Sequence, residues 1–398
     1  MRPPNHILLT IDVEDWFQVE NFKQCISFLS WSSQELRVEK NTHRLLDLLA
    51  SATCVEPVTL RQRRILTQGN VEPVSQGAFS QFHPRPPRLR ESNGGQEETE
   101  KTKESIQSST SCQIKTKTPK ATFFILGWLA KRLPHLVREM HSRGHEVASH
   151  GYYHEIRKKQ SYDDFRKDLC DSKKLLEDII GAPVFGYRAP SFAIDNDTLK
   201  IIEDCGYFYD SSYNSFAMHD RYGKISMNWQ NRTGIAYRIS SDFYELPISN
   251  LKFSPRLPRS SGRWYWGRSG RSYGVKIHDS DSETHSTGAN LQSSIFNLQS
   301  LELPWGGGGY FRMIPFFLFK FGIQSILNKD KAYLFYMHPW EIDPDQPRVN
   351  EASIVYKFRH YINLTKTYAK LSKLIEHFQR CRFITCNQYL KEIAEALS

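Results

Sequence analysis

The sequence predicts an α/β fold of parallel strands closing into a barrel. Short apolar runs alternate with helix-like stretches along most of the 398 residues. Several runs end in polar clusters, at Asp12 to Asp15, His150, Arg188 and His338. In α/β barrels chemistry collects at the C-terminal ends of strands. The alternation is interrupted by two long irregular stretches, Ser51 to Thr118 and Pro255 to Leu301.

The elements follow in order. His6 to Ile11 reads as a buried strand running into carboxylates. Glu39 to Ala50 carries Leu45, Leu46, Leu48 and Leu49 and reads as a helix. Ala121 to Leu126 is a second buried strand. Trp128 to Arg143 has helical periodicity, with Gly144 placed as a C-cap. Glu146 to Ser149 is a strand. Tyr162 to Ile180 is an amphipathic helix closed by Gly181 and Pro183. Phe185 to Tyr187 is a strand, and Asp195 starts a helix to Cys205. Tyr333 to Met337 is a late strand, Ile354 to Phe378 is mostly helical, and Phe383 and Ile384 lie in a last strand.

The two irregular stretches contain HPRPPR, GGQEETEKTKES and a Ser/Arg/Gly-rich run. Neither shows hydrophobic periodicity or a metal-ligand pattern, so both are expected to be disordered insertions in one 398-residue domain. Much of the net charge of +10 sits in them, which makes it a property of solvated surface. No nucleic-acid-binding signature accompanies the charge, so no nucleic acid is expected. The seven cysteines never form CxxC, which argues against a zinc ribbon or a disulfide framework. No signal peptide is read at the start. Tyr310 to Leu327 is broken by Arg312, Pro315 and Lys320, so no transmembrane segment is expected. A location in the cytoplasm or peripheral to a membrane follows as an expectation.

Four clusters can carry chemistry. Ser149-His150-Gly151-Tyr152-Tyr153-His154 places two histidines four apart after a strand, where one helical turn lets both face one cation. Asp12-Val13-Glu14-Asp15 crowds three carboxylates at a strand end. A cation or a division of roles relieves their repulsion: one carboxylate can complete a His/His/carboxylate site and another can act as a base. Arg188, in Tyr187-Arg188-Ala189-Pro190, can pair with a carboxylate and hold it ionised. His338, in Tyr336-Met337-His338-Pro339-Trp340, can protonate a leaving amine. Metal site, base, base-orienter and acid together make a minimum set for metal-assisted amide hydrolysis.

In this order the motifs resemble those of the NodB-type polysaccharide deacetylases, the fourth carbohydrate esterase family. The carriers are TIDVED, SHGYYH, RAPSF, DSSY (Asp210 to Tyr213) and LFYMH, with TFFILGW and RGHEVASHG beside them. DVEDWF, GGGYFR and FYMHPWEID resemble a subgroup found near exosortase and exopolysaccharide loci. The resemblance covers roughly residues 5–50, 119–255 and 302–390. It implies a distorted (β/α) barrel and removal of N-acetyl groups from the amino sugars of a polysaccharide. It implies one divalent metal ion, Zn²⁺ or similar, held by His150, His154 and a carboxylate. Adjacent aspartates are usual in that family; here the spacing is gapped, so Asp15 is preferred as ligand and Glu14 stands as the alternative. Asp12 takes the role of base, with Arg188 as its partner. His338 is the acid, tuned by Asp210. A backbone N–H near Tyr213 is expected to meet the oxyanion. Tyr213, Pro190 and Trp340 are expected to bind substrate, and Trp16 and Phe311 are further candidates for stacking on sugar. Two other readings remain: a ureide or cyclic-amide hydrolase of the same superfamily, and a carbohydrate-binding homologue without catalysis.

Overall fold

The computed structural model describes residues 4–55, 116–216, 225–253 and 301–397. Its strands, in chain order, are β1 His6–Val13, β2 Cys54–Val55, β3 Thr116–Lys117, β4 Ala121–Ile125, β5 Glu146–Ser149, β6 Gly186–Tyr187 and β7 Tyr209–Asp210, then β8 Arg232–Thr233, β9 Ala236–Arg238, β10 Tyr244–Glu245, β11 Asn250–Phe253, β12 Leu301–Pro304, β13 Ala332–Met337 and β14 Arg382–Phe383. One sheet runs β13-β1-β4-β5-β6-β7-β10-β9-β8, and β14 joins the start of β1. Pairing is parallel from β13 to β10, and β9 and β8 continue antiparallel. Among the described residues β13 and β8 do not pair, so the predicted barrel is an open, curled sheet.

Strand alternation decides what faces inward. Leu8, Phe124, Ala148, Tyr209, Tyr244 and Leu334 come from six strands and pack into one cluster, the inner core of the curl. Helix Cys386–Leu397 closes it from below through Cys386, Tyr389, Leu390 and Ile393. The alternate residues of β1, Ile7, Leu9, Ile11 and Val13, join the larger core beneath the helices. On this parity Thr10 and Asp12 share the inner face with Leu8. Arg188 and His338 follow β6 and β13 onto the same face, at the ends where parallel strands terminate.

Most predicted elements are present with shifted ends. The expected helix Trp128–Arg143 is two, Gly127–Arg132 and Pro134–Ser142, because Pro134 cannot continue the first and starts the second. Ile354–Phe378 is also two helices, Ile354–Tyr361 and Leu364–His377, parted at Asn363, whose φ is 54°. Gly144 and Gly181 adopt the left-handed conformation that ends their helices, and Asp195 caps the Thr198 N–H at 2.8 Å. Helix Phe316–Asp330 lies outside the predicted elements, since it is apolar on nearly every side and shows no amphipathic period. The rims of both irregular stretches are ordered: β2 pairs with β3 and β11 with β12. The disorder expected for the stretches themselves falls on residues 56–115 and 254–300, outside the described residues.

Candidate metal and hydrolytic site

β1 delivers Asp12 inward, and the chain then turns through a Glu14 N–H to Asp12 C=O bond of 2.9 Å. Glu14 Oε1 lies 2.8 Å from His150 Nε2 and 3.0 Å from His154 Nε2, with all three side chains buried. His150 donates Nδ1–H to the Arg188 carbonyl at 2.7 Å. That tautomer leaves the Nε2 lone pair for a cation. The neighbouring histidines hold the Glu14 carboxyl well below the usual range, against the opposing effect of its burial.

The SHGYYH segment is not the helical turn expected of it. It is an irregular loop in which Gly151 and His154 have φ of 72° and 54°. A side chain at Gly151 would strike the Asp168 carboxylate at 2.7 Å. Asp168 accepts the Tyr152 N–H at 2.9 Å, while the Gly127 and Trp128 N–H groups bind the Gly151 and Tyr152 carbonyls. Two helices thus pin the loop that carries both histidines.

Asp15, preferred on sequence as the metal carboxylate, is corrected by the geometry. Its Oδ2 accepts the Arg37 and Val38 N–H groups at 2.7 and 2.9 Å, and Oδ1 accepts the Trp16 N–H at 2.8 Å. It ties down the chain entering helix Val38–Ser51, and burial pushes its carboxyl up to about 6. Glu14, the alternative, is the carboxylate beside the histidines.

Arg188 is wholly buried and pairs with the carboxylate expected of it. Its Nη1 donates to Asp12 Oδ1 at 2.6 Å and to Thr10 Oγ1 at 2.7 Å. Nε and Nη2 are fixed by the Ser211 carbonyl and hydroxyl, each at 2.9 Å. The guanidinium therefore points at Asp12 in one orientation.

His338 faces Glu14 with Nε2 at 3.9 Å and donates Nδ1–H to Glu341 Oε1 at 2.9 Å. Glu341 is itself gripped by Arg312 Nε at 2.8 Å. Burial lowers the His338 pKa, but Glu14 and Glu341 outweigh it and raise it to about 9. The partner of His338 is thus Glu341, which corrects the expectation for Asp210. Asp210 accepts from the Ser212 N–H and hydroxyl and lies opposite Glu245 on β10. Burial and the Asp210 charge push the Glu245 carboxyl well above the carboxylate range.

A cavity of about 160 Å³ joins these groups, lined by Asp12, Glu14, both histidines, His338, Trp340 and residues that sequence reading missed, among them Asn21, Ser191, Phe192 and Tyr336. Ser191 and Phe192 both have positive φ, a contorted backbone visible only in three dimensions. Pro190 is buried beside them and does not line the cavity. Tyr213 is corrected too: its N–H is spent on Glu245 Oε1 at 2.9 Å, and it lines a different cavity with Pro247 and Lys252. Trp340 lies between His338 and His360, with ring centroids at 5.2 and 4.1 Å. Trp16 and Phe311 are core residues: Trp16 Nε1–H is satisfied by the Glu35 carbonyl, and Phe311 packs on Phe319 and Phe335.

Residues 113–209 match a family model described as polysaccharide deacetylase, and residues 282–391 match one described as a domain of unknown function, DUF3473. The first window holds His150, His154 and Arg188; the second holds Arg312, His338 and Glu341. A peptidoglycan deacetylase-like protein, FGM2, of Gibberella zeae is 28% identical over 167 residues, 36% of this chain and 47% of that protein. A peptidoglycan-N-acetylglucosamine deacetylase of Bacillus cereus is 31% identical over 87 residues, 22% of this chain and 40% of that protein. The chain thus spans less than half the length of these curated relatives. A crystal structure from Mycobacterium smegmatis, solved as a candidate polysaccharide deacetylase, aligns with a TM-score of 0.47 at 14% identity, over 100% of this chain and 93% of that one. The match to the polysaccharide deacetylase model is confined to about a quarter of the chain.

Proposed function

We propose that this chain is a metal-dependent deacetylase that hydrolyses the N-acetyl groups of amino sugars in a polysaccharide and releases acetate. One observation carries the reading. A two-histidine, one-carboxylate donor set shares a small cavity with an aspartate paired to a buried arginine and a histidine paired to a buried glutamate.

The donors suit a divalent cation. Ligands bonded at about 2 Å to one ion stand roughly 3 Å apart. The Glu14-to-histidine separations of 2.8 and 3.0 Å are of that size, and the orienting bond from His150 Nδ1 is the support such ligands need. We assign the ion as Zn²⁺ or a similar divalent metal. The chemistry it supplies when bound is Lewis-acid polarisation of an amide carbonyl and a lowered pKa for water.

The chain's own groups do the rest. Asp12 accepts a proton from the attacking water, and Arg188 pairs with it and fixes its aim. His338 gives a proton to the departing amine nitrogen from Nε2, with Nδ1 anchored on Glu341. Trp340, stacked between His338 and His360, backs the acid at the cavity wall. The likeness of DVEDWF, GGGYFR and FYMHPWEID to exopolysaccharide-locus deacetylases directs the substrate search toward an exopolysaccharide, and the relatives' names add peptidoglycan.

The test is an acetate-release assay on N-acetylated oligosaccharides, peptidoglycan and exopolysaccharide, run beside metal analysis of the same protein. Acetate release that needs bound metal supports the reading. Turnover of a cyclic ureide without acetate release would replace it with the ureide hydrolase. Glycan binding without turnover, in metal-loaded protein, would replace it with a binding homologue.

A further inference from the structure

We propose that the outer face of helix Phe316–Asp330, together with the turn before it and the start of helix Ile354–Tyr361, docks on an anionic phospholipid surface. The proposal does not depend on the reaction catalysed.

The first observation is exposed apolar bulk. Met313, Phe317, Leu318 and Phe321 are 37, 57, 46 and 65% exposed. The opposite side of the same helix is core: Phe319, Ile323, Ile326 and Leu327 are buried, and Gly322 meets the Trp305 indole. An all-round apolar helix normally has apolar neighbours on all sides, and this one has them on one. Helix Ile354–Tyr361 adds Ile354, Val355 and Phe358 at 82, 62 and 57% exposure. The two segments abut: Arg312 Nη1 and Nη2 bind the His360 and Arg359 carbonyls at 2.6 and 3.0 Å, and Asn363 Nδ2 binds the Arg312 carbonyl at 3.0 Å. Single exposed hydrophobes are ordinary on a soluble protein, whereas a group of this size marks an interaction surface.

The second observation is charge. Between Glu302 and Asp330, and between Glu351 and Glu376, the chain carries eight lysines and arginines and no acid, and of these Arg312 is buried against Glu341. Elsewhere the chain mixes the signs, with 53 basic and 43 acidic residues in total. Lys320 and Lys329 sit on the apolar helix itself, and Lys357 sits between Val355 and Phe358. Exposed aromatic and aliphatic side chains interleaved with Lys320 and Lys357 match a bilayer interface of negative headgroups. Among the described residues no helix is long and apolar enough to cross a membrane, so the contact would be one of lying on the surface.

The experiment is co-sedimentation of the full chain with phosphatidylcholine vesicles, with and without phosphatidylglycerol. Binding should require phosphatidylglycerol and weaken with salt. Phe317→Ser/Leu318→Ser/Phe321→Ser should lower the partition coefficient at least about tenfold, given the apolar area removed. Lys320→Gln and Lys329→Gln should cost about fivefold each. Phe321→Trp, which keeps the apolar bulk, should show a blue-shifted emission over the wild-type background when vesicles are added. No binding by the wild type, equal binding by the triple variant, or an unshifted emission from the Phe321→Trp variant overturns the proposal. A solution dimer that the triple variant turns into a monomer would assign the face to a second copy instead.

Discussion

Glu14 and Asp15 are adjacent carboxylates of opposite use. Glu14 turns toward two imidazoles, whereas Asp15 spends both oxygens on backbone N–H groups. Glu14→Gln should therefore lose stoichiometric metal, since a neutral amide is a poor third ligand. Asp15→Ala should keep the metal and cost about 0.5–2 kcal/mol of stability, the usual value of such a cap. Metal analysis and urea unfolding of both variants check this, and metal loss confined to Asp15→Ala would reverse the assignment. The acid role proposed for His338 can be isolated in the same way. Glu341→Gln leaves a neutral partner for His338 Nδ1 and an uncompensated Arg312. Amide turnover should fall about 10²–10⁴-fold. An activated aryl acetate, whose leaving group needs no proton, should lose far less; equal loss on both substrates would mean that Glu341 only supports the fold. Asp12, His150, His154, Arg188 and His338 were legible in the sequence because each lies at or just beyond the end of a strand whose apolar run can be read. Glu341 and Arg312 escaped notice as a pair, since 29 residues part them and only the folded chain brings them to 2.8 Å. The adjacent glycines were the available signal: a Cβ on Gly308 would lie 2.2 Å from Glu341 Oε1, so the glycine leaves room for the carboxylate.

At the scale of elements, sequence reading found the strands β1, β4 and β13, buried on both faces, by their short apolar runs, and found helices with one buried face by their period. The apolar helix Phe316–Asp330 and the short strands β8 to β12 carry no clear period. The SHGYYH loop misled because a four-residue spacing suits a helix, while Gly151 and His154 take left-handed backbone instead. The junction of β4 and β5 offers a test of local energetics. His145, 6% exposed, leads into β5 and accepts the Ala121 N–H at Nδ1, at 3.2 Å. Burial, then Lys120 and Arg143, lower its pKa from 6.5 to about 4. The folded state thus binds fewer protons than the unfolded chain between these values. The stability this contributes is complete above pH 6.5 and is lost as pH falls toward 4, by about 3 kcal/mol in all. Urea unfolding of wild type and His145→Gln across that window should differ by this amount, the raised carboxyls of Asp15 and Asp168, which act in the opposite sense, being common to both. An unchanged slope in the variant would move the titration to another group.

The whole molecule makes the site by joining parts that are remote in sequence. Glu14 leaves β1, the histidines follow β5, and His338 follows β13, which pairs with β1 across most of the chain length. The parallel order β13-β1-β4-β5-β6 sets these strand ends side by side, so the cavity exists only when the curl is complete. A cation held by Glu14, His150 and His154, as proposed, would tie β1 to the loop after β5 and would have no such site in the unfolded chain. Its binding free energy must then appear as folding stability. With free Zn²⁺ at about one hundred times its dissociation constant the gain is about 2.7 kcal/mol, which for a chain of this size raises the melting temperature by about 3 °C. The gain should grow with the logarithm of metal concentration. His150→Ala/His154→Ala should remove it while leaving the metal-free melting temperature within a few degrees, because the lost side chains belong to the cavity wall and leave the apolar core intact. Calorimetry across a Zn²⁺ series reads both quantities. An equal metal-induced shift in the double variant would place the stabilising cation elsewhere on the molecule and detach the Glu14, His150 and His154 cluster from the fold's energetics.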